Sequence, residues 1–186
     1  MGKSIIGIMN GAFSSYRSKD NVYMSDIVEK IVESIKFPNG YELFFQKGGL
    51  WDTPDRNMKE WLIKHDKAEN NLLIVTKSGG AWDFSKPILK DFMKNCLYTK
   101  RLGIMIDGTF PFRIKPLAYN GFQKIINFYQ PNGFLHGGPC KIENENCDLE
   151  EYKLEKIGDK KIDHFNIIYS PFVEQKIREA LSEVLI

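Results

Sequence analysis

Nowhere in the 186 residues does an apolar run exceed a few positions. Leu72 to Val75 and Ile104 to Ile106 are typical, far short of the about 20 residues that cross a bilayer, so no membrane span is expected. Lys3 followed by Ile5, Ile6, Ile8 and Met9 stops at Asn10 without a small-residue cleavage site, and reads as a first strand rather than a targeting signal. The three cysteines, Cys96, Cys140 and Cys147, are too few and too unevenly spaced for a disulfide framework, which points to a reducing compartment and a cytoplasmic location. Charge of either sign is not in excess: 26 Lys and Arg against 24 Asp and Glu leave +2, so no nucleic-acid partner is expected. Also missing are a Walker loop, a Gly-x-Ser-x-Gly elbow, a His-Glu-x-x-His helix and a Gly-x-Gly-x-x-Gly fingerprint, which sets aside the commonest NTPase, hydrolase, zinc-protease and dinucleotide-binding readings.

What is present is a globular composition, 42% apolar with 15 glycines, at a length suited to one core. The expectation is a single domain over 1–186 with a loop-rich insertion around 131–164. Short apolar runs alternate with helical periodicity, the pattern of βα units on a parallel sheet. Strands are expected at Ser4 to Met9, Tyr41 to Gln46, Asn71 to Thr76 and Leu102 to Ile106. The third, with Leu72, Leu73, Ile74 and Val75 consecutive, should be central and covered on both faces. Helices are expected at Asp26 to Ile35, around Asn57 to His65, from Ser85-Pro87 through Cys96, around Phe122 to Tyr129, and after Ser170-Pro171. A fifth strand is assigned by β-propensity to Phe165 to Tyr169 rather than to Gly133 to Ile142.

In such a sheet ligands bind beyond the carboxyl ends of the strands. Three loops lie there. The loop from Asn10 to Asn21 offers Ser15, Arg17, Ser18 and Asn21 just before a helix, a set suited to a phosphate, although Ser and Asn also serve simply to turn and cap a chain. The loop from Thr76 to Pro87 holds Ser78, Gly79, Gly80 and Trp82; adjacent glycines permit close approach of a flat ring, or serve a turn with positive φ. Asp107 and Gly108 open the third loop beside the other two.

On these residues the chain resembles the flavodoxin-like NAD(P)H-dependent FMN and quinone reductases. Ser15-Tyr16-Arg17-Ser18-Lys19-Asp20-Asn21 is similar to that family's first-loop pattern Gly-Ser-x-Arg-x-x-Ser-x-Asn, with Ser14 in place of Gly and the Arg-to-Asn spacing one residue short. Thr76, Ser78, Gly79, Gly80, Pro87, Leu89 and Lys90 follow the layout of its third-strand loop, with Lys77 in place of Pro. The resemblance implies an α/β flavodoxin-like three-layer sandwich, a five-stranded parallel sheet of order 2-1-3-4-5. It also implies FMN as cofactor and NAD(P)H as co-substrate, with hydride passing to a quinone, flavin or similar small-molecule electron acceptor. Ser15, Arg17, Ser18 and Asn21 would clamp the phosphate. Thr76, Ser78, Gly79, Gly80, Trp82, Asp107 and Gly108 would line the ring site. Members commonly form homodimers, for which Trp51, Trp82 and Phe112 would be aromatic anchors.

Other chemistries have weaker footing. His136-x3-Cys140-x6-Cys147 would hold a soft metal only if Asp148 or His164 joined, and paired Cys-x2-Cys spacing is absent. A metal-dependent nuclease would draw on Asp55 and on Glu151 with Lys153, almost 100 residues apart. A flavodoxin-like interaction module without cofactor is the remaining alternative.

Overall fold

The structure, a computed structural model, describes residues 2–11, 24–46, 54–108, 116–132 and 135–185. Its centre is a six-stranded sheet built from β1 (Ser4–Met9), β2 (Tyr41–Gln46), β3 (Asn71–Lys77), β4 (Lys100–Ile106), β6 (Lys124–Tyr129) and β8 (Asp148–Lys153). These lie in the order β2-β1-β3-β4-β6-β8, every neighbouring pair parallel. The short strands β5 (Leu117–Tyr119) and β7 (Cys140–Ile142) pair with each other outside the sheet, as do β9 (Lys156–Ile157) and β10 (Lys160–Lys161).

Alternation of side chains along each strand divides the core into two layers. Ile6, Ile8, Leu73, Val75, Ile104, Ile126 and Phe128 meet α1 (Met24–Glu33) and α5 (Pro171–Leu185) on one face. Ile5, Met9, Leu72, Ile74, Met105 and Ile125 meet α2 (Pro54–His65), α3 (Gly79–Phe84) and α4 (Pro87–Asn95) on the other. Leu72, Leu73, Ile74 and Val75 are fully buried in a strand with neighbours on both sides, as their run of consecutive apolar residues predicts.

The α/β class and the parallel sheet stand, while strand number and order differ from the expected five in order 2-1-3-4-5. The residues from Lys124 to Tyr129 are β6, not a helix. Phe122, Ile125, Ile126 and Tyr129 have helical spacing, but Ile125 and Ile126 point to opposite layers, which only a strand with both faces covered allows. Ile167–Tyr169, expected within a strand, is a single 3-10 turn that packs Ile167 and Ile168 under α5. The sixth strand comes from the charged block. On β8, Leu149 and Tyr152 reach the two cores, while Glu150 pairs with Lys124 at 3.0 Å and with Lys176 of α5 at 3.3 Å. Charge is what keeps an edge strand from pairing further, so the low apolar content of this segment marks its place at the sheet's rim.

Candidate functional site

At the carboxyl end of β3 the chain turns sharply into α3 through Ser78, whose φ of 57° and ψ of −126° is a conformation that side chains rarely adopt. Such a backbone is strained by roughly 1–3 kcal/mol and persists only where its surroundings hold it. Here they do. The Ser78 amide donates to the Ile106 carbonyl of β4 at 3.0 Å, and the Ser78 carbonyl accepts from Ala81 in the first turn of α3. A Cβ on Gly80 would collide with the Met9 carbonyl, so glycine is what lets α3 start against the end of β1. A Cβ on Gly11 would run into the Gly79 amide and stand 2.9 Å from Ser78 Oγ, which places Gly11 directly beside this hydroxyl.

Next along the sheet, β4 is followed directly by Asp107, fully buried and also at positive φ, 46°. Its carboxylate is saturated with donors. Oδ1 accepts from the amides of Gly137 at 2.7 Å and Gln130 at 3.2 Å; Oδ2 accepts from Gln130 Nε2 at 2.9 Å and faces His164 Nδ1 at 2.7 Å. A carboxylate so surrounded is an acceptor, which assigns the proton of that last contact to His164 Nδ1 and leaves Nε2 free of it in the neutral ring. His164 is itself buried. Its loop is pinned on either side: Asp163 Oδ1 accepts from the amides of Phe165 and Asn166 at 2.9 and 3.0 Å, and Asn166 Oδ1 accepts from the Asp163 amide at 2.8 Å. Lys77, the residue before Ser78, lies within electrostatic reach of Asp107 and Asp163. Desolvation pushes its ammonium down to about 8 while the two carboxylates pull the other way.

Of the residues selected from sequence, Ser15, Arg17, Ser18 and Asn21 lie outside the described residues, as do Trp51 and Phe112. Thr76, Ser78, Gly79, Gly80, Asp107 and Gly108 gather at the carboxyl ends of β3 and β4. A Cβ on Gly108 would stand 2.9 Å from that of Ala81, so this turn packs tightly on α3. Trp82 belongs to the α2–α4 layer, its ring under Lys86 Nζ at 4.1 Å. The sequence reading missed His164, which had been weighed only as a fourth ligand for a metal. It also passed over the turn itself: Thr76-Lys77-Ser78-Gly79-Gly80 shares the serine and the last glycine of the Gly-x-Ser-x-Gly pattern, with threonine at the first position. Thr76 is tolerated there because its hydroxyl finds Met105 Sδ at 3.0 Å inside the core.

The nuclease residues are occupied elsewhere. Asp55 stands 3.8 Å from Lys86, and Glu151 Oε1 accepts from Asn127 Nδ2 and the Cys140 amide at 3.0 and 2.8 Å. Burial pushes the thiols of Cys140 and Cys147 up to about 12 and about 11, away from the thiolate form that binds metal. Among the described residues no group of three or more His, Cys, Asp or Glu comes together as a metal site, and no helix is long and apolar enough to cross a membrane.

No protein-family model and no curated protein matches the chain. Among solved structures it is similar to a candidate hydrolase of the alpha/beta superfamily from Xanthomonas campestris pv. campestris, at 10% identity over 96% of this chain and 98% of that one, with a TM-score of 0.49. A likeness of that size carries no inference about activity.

Proposed function

We propose that this chain is a serine hydrolase that cleaves an acyl bond, with Ser78 as nucleophile, His164 as general base and Asp107 as the group that orients the histidine. The observation that carries the proposal is the buried 2.7 Å pair of His164 Nδ1 and Asp107 Oδ2, formed one strand away from a serine on a strained strand-to-helix turn. The chain order serine, aspartate, histidine is the one that nucleophile elbows of α/β sheets use. In the reaction Ser78 Oγ attacks the substrate carbonyl and its proton passes to His164 Nε2. Asp107 keeps the second ring proton on Nδ1 and stabilises the imidazolium that forms. The tetrahedral oxyanion would sit against the amide of Gly79, the first residue of α3, with Gly11 at the same corner. His164 returns its proton to the leaving group; a water then attacks the acyl-serine, giving its proton to His164, and Ser78 leaves with it.

The flavin reading uses the same crevice. FMN with NAD(P)H as hydride donor draws support from the order β2-β1-β3-β4 and from the side-chain-free pair Gly79-Gly80, but it leaves the buried Asp107–His164 pair without a task. Two measurements separate the readings. A fluorophosphonate probe should label the purified protein on Ser78 and fail on Ser78→Ala, and the protein should hydrolyse a short-chain p-nitrophenyl ester. An unlabelled, inert protein with a flavin absorption spectrum would overturn the hydrolase proposal in favour of FMN.

A further inference from the structure

Gln130, the residue after β6, is completely buried and uses both polar atoms of its side chain. Nε2 donates to Asp107 Oδ2 at 2.9 Å and to the Leu135 carbonyl at 2.8 Å; Oε1 accepts from the Asn132 amide at 2.6 Å; its own amide donates to Asp107 Oδ1 at 3.2 Å. A buried amide with every donor and acceptor matched has one orientation available to it. We infer that Gln130 is a positioning residue for the proposed triad: it fixes the plane of the Asp107 carboxylate so that Oδ2 meets His164 Nδ1, and it ties the 135–138 segment over the acid. The inference rests on the hydrolase reading for its catalytic consequence, but not for its geometry.

The reasoning turns on which oxygen is held by what. Oδ1 is anchored by two backbone amides, from Gln130 and Gly137, and these alone would let the carboxylate pivot about that oxygen. The side-chain donor on Oδ2 removes that freedom, and it also draws negative charge away from the imidazole side. Without it Asp107 presents a more basic and less well aligned oxygen to His164. Among the described residues, Asp163 beside His164 and Lys77 at the end of β3 are charged groups near this pair, and both are the same in every variant below.

The test compares the parent with Gln130→Met, which keeps the volume and loses the donor, and with Gln130→Glu, which keeps the Oε1 acceptor for Asn132 and, held protonated by burial beside the Asp107 carboxylate, keeps a donor to Oδ2. With a p-nitrophenyl ester, kcat of Gln130→Met should fall roughly 10- to 100-fold with KM unchanged, the loss expected for one hydrogen bond to a charged group, and Gln130→Glu should recover most of it. The acidic limb of the pH profile of kcat/KM should move to higher pH in Gln130→Met and less in Gln130→Glu. In proton NMR the far-downfield imidazole signal, assigned by its loss in His164→Ala, should move upfield in Gln130→Met. If Gln130→Met does not melt cooperatively, Gln130→Leu carries the comparison. An imidazole signal and an acidic limb unmoved in a folded Gln130→Met or Gln130→Leu would overturn the positioning role. An inert parent whose imidazole signal still depends on Gln130 would overturn the hydrolase reading alone.

Discussion

The amide of Ser78 donates to the carbonyl of Ile106 at 3.0 Å, which joins the turn at the end of β3 to the residue just before Asp107 on β4. The serine and the acid therefore come from adjoining strands, with no flexible segment between their anchors. His164 arrives by a different route, in the loop between β10 and α5, and Asp163 and Asn166 hold that loop by reciprocal hydrogen bonds. Rigid elements carry two members of the proposed triad and a pinned loop the third, the condition under which such groups keep their relative positions to within a fraction of an ångström.

Asp107→Asn should lower kcat by roughly 10³- to 10⁴-fold and cost about 1–3 kcal/mol of stability. Oδ1 sits among two backbone N–H donors, so the new amide places its oxygen there and its NH2 at the Oδ2 position, where it faces the Gln130 Nε2 donor and leaves a buried hydrogen bond unmade. That NH2 also meets His164 Nδ1 as a donor. The ring must carry its proton on Nε2 instead, where it cannot accept one from Ser78. Ester hydrolysis and a thermal melt check the two halves of the expectation; undiminished kcat would remove Asp107 from the mechanism.

How much of this was legible in the sequence depends on how local each signal is. β3 announced itself because four consecutive apolar residues have no other place than a strand covered on both faces. β6 did not, because Phe122, Ile125, Ile126 and Tyr129 satisfy helical spacing equally well and only the sheet decides. β8 was hidden in a charged block because an edge strand buries little. Asp107, Ser78, Gly79 and Gly80 were selected for lying at strand ends, which is a rule about topology and says nothing of chemistry. The turn at Ser78 escaped notice because Thr76 stands where a Gly-x-Ser-x-Gly pattern has its first glycine. The His164–Asp107 pair spans 57 positions and leaves no local trace.

Gly137→Ala should destabilise the protein by about 1–3 kcal/mol, whereas Gly138→Ala should change stability by less than about 0.5 kcal/mol. A Cβ on Gly137 would lie 2.5 Å from Asp107 Oδ1, so the segment must lift and the amide bond to the buried carboxylate is lost; a Cβ on Gly138 would have open space around it. Urea melts of the two neighbours give the comparison. Equal midpoints would show that the segment does not bear on Asp107.

Glu150 gives a pH dependence of known sign. The Tyr152 hydroxyl at 2.7 Å, then Lys124 and Lys176, hold its carboxyl at about 2, below the ordinary 4.5. A folded value below the unfolded one means that the stabilisation is present above pH 4.5 and is lost as pH falls through about 2. The group is partly solvated, so the contribution is about 1 kcal/mol after screening. The stability difference between the parent and Glu150→Gln should therefore shrink as pH falls across that window. A difference independent of pH would mean that the cluster is worth nothing as charge.

Ser78→Gly should abolish ester hydrolysis and at the same time raise stability, by about 0.5–2 kcal/mol. Two opposing effects decide the sign. Glycine adopts φ of 57° and ψ of −126° freely, so the substitution releases the roughly 1–3 kcal/mol of strain that serine carries there. Against this, glycine widens the unfolded ensemble, at a cost of about 0.4–1 kcal/mol. Relief exceeds cost over most of these ranges. Ser78→Ala provides the control, because it removes the hydroxyl while keeping the Cβ and thus the strain, so it should be equally inactive and no more stable than the parent. Denaturant melts of the three proteins at one pH distinguish the effects. If Ser78→Gly proved less stable than Ser78→Ala, the turn would not be storing strain, and holding the hydroxyl at the sheet's end would not be what this backbone is for.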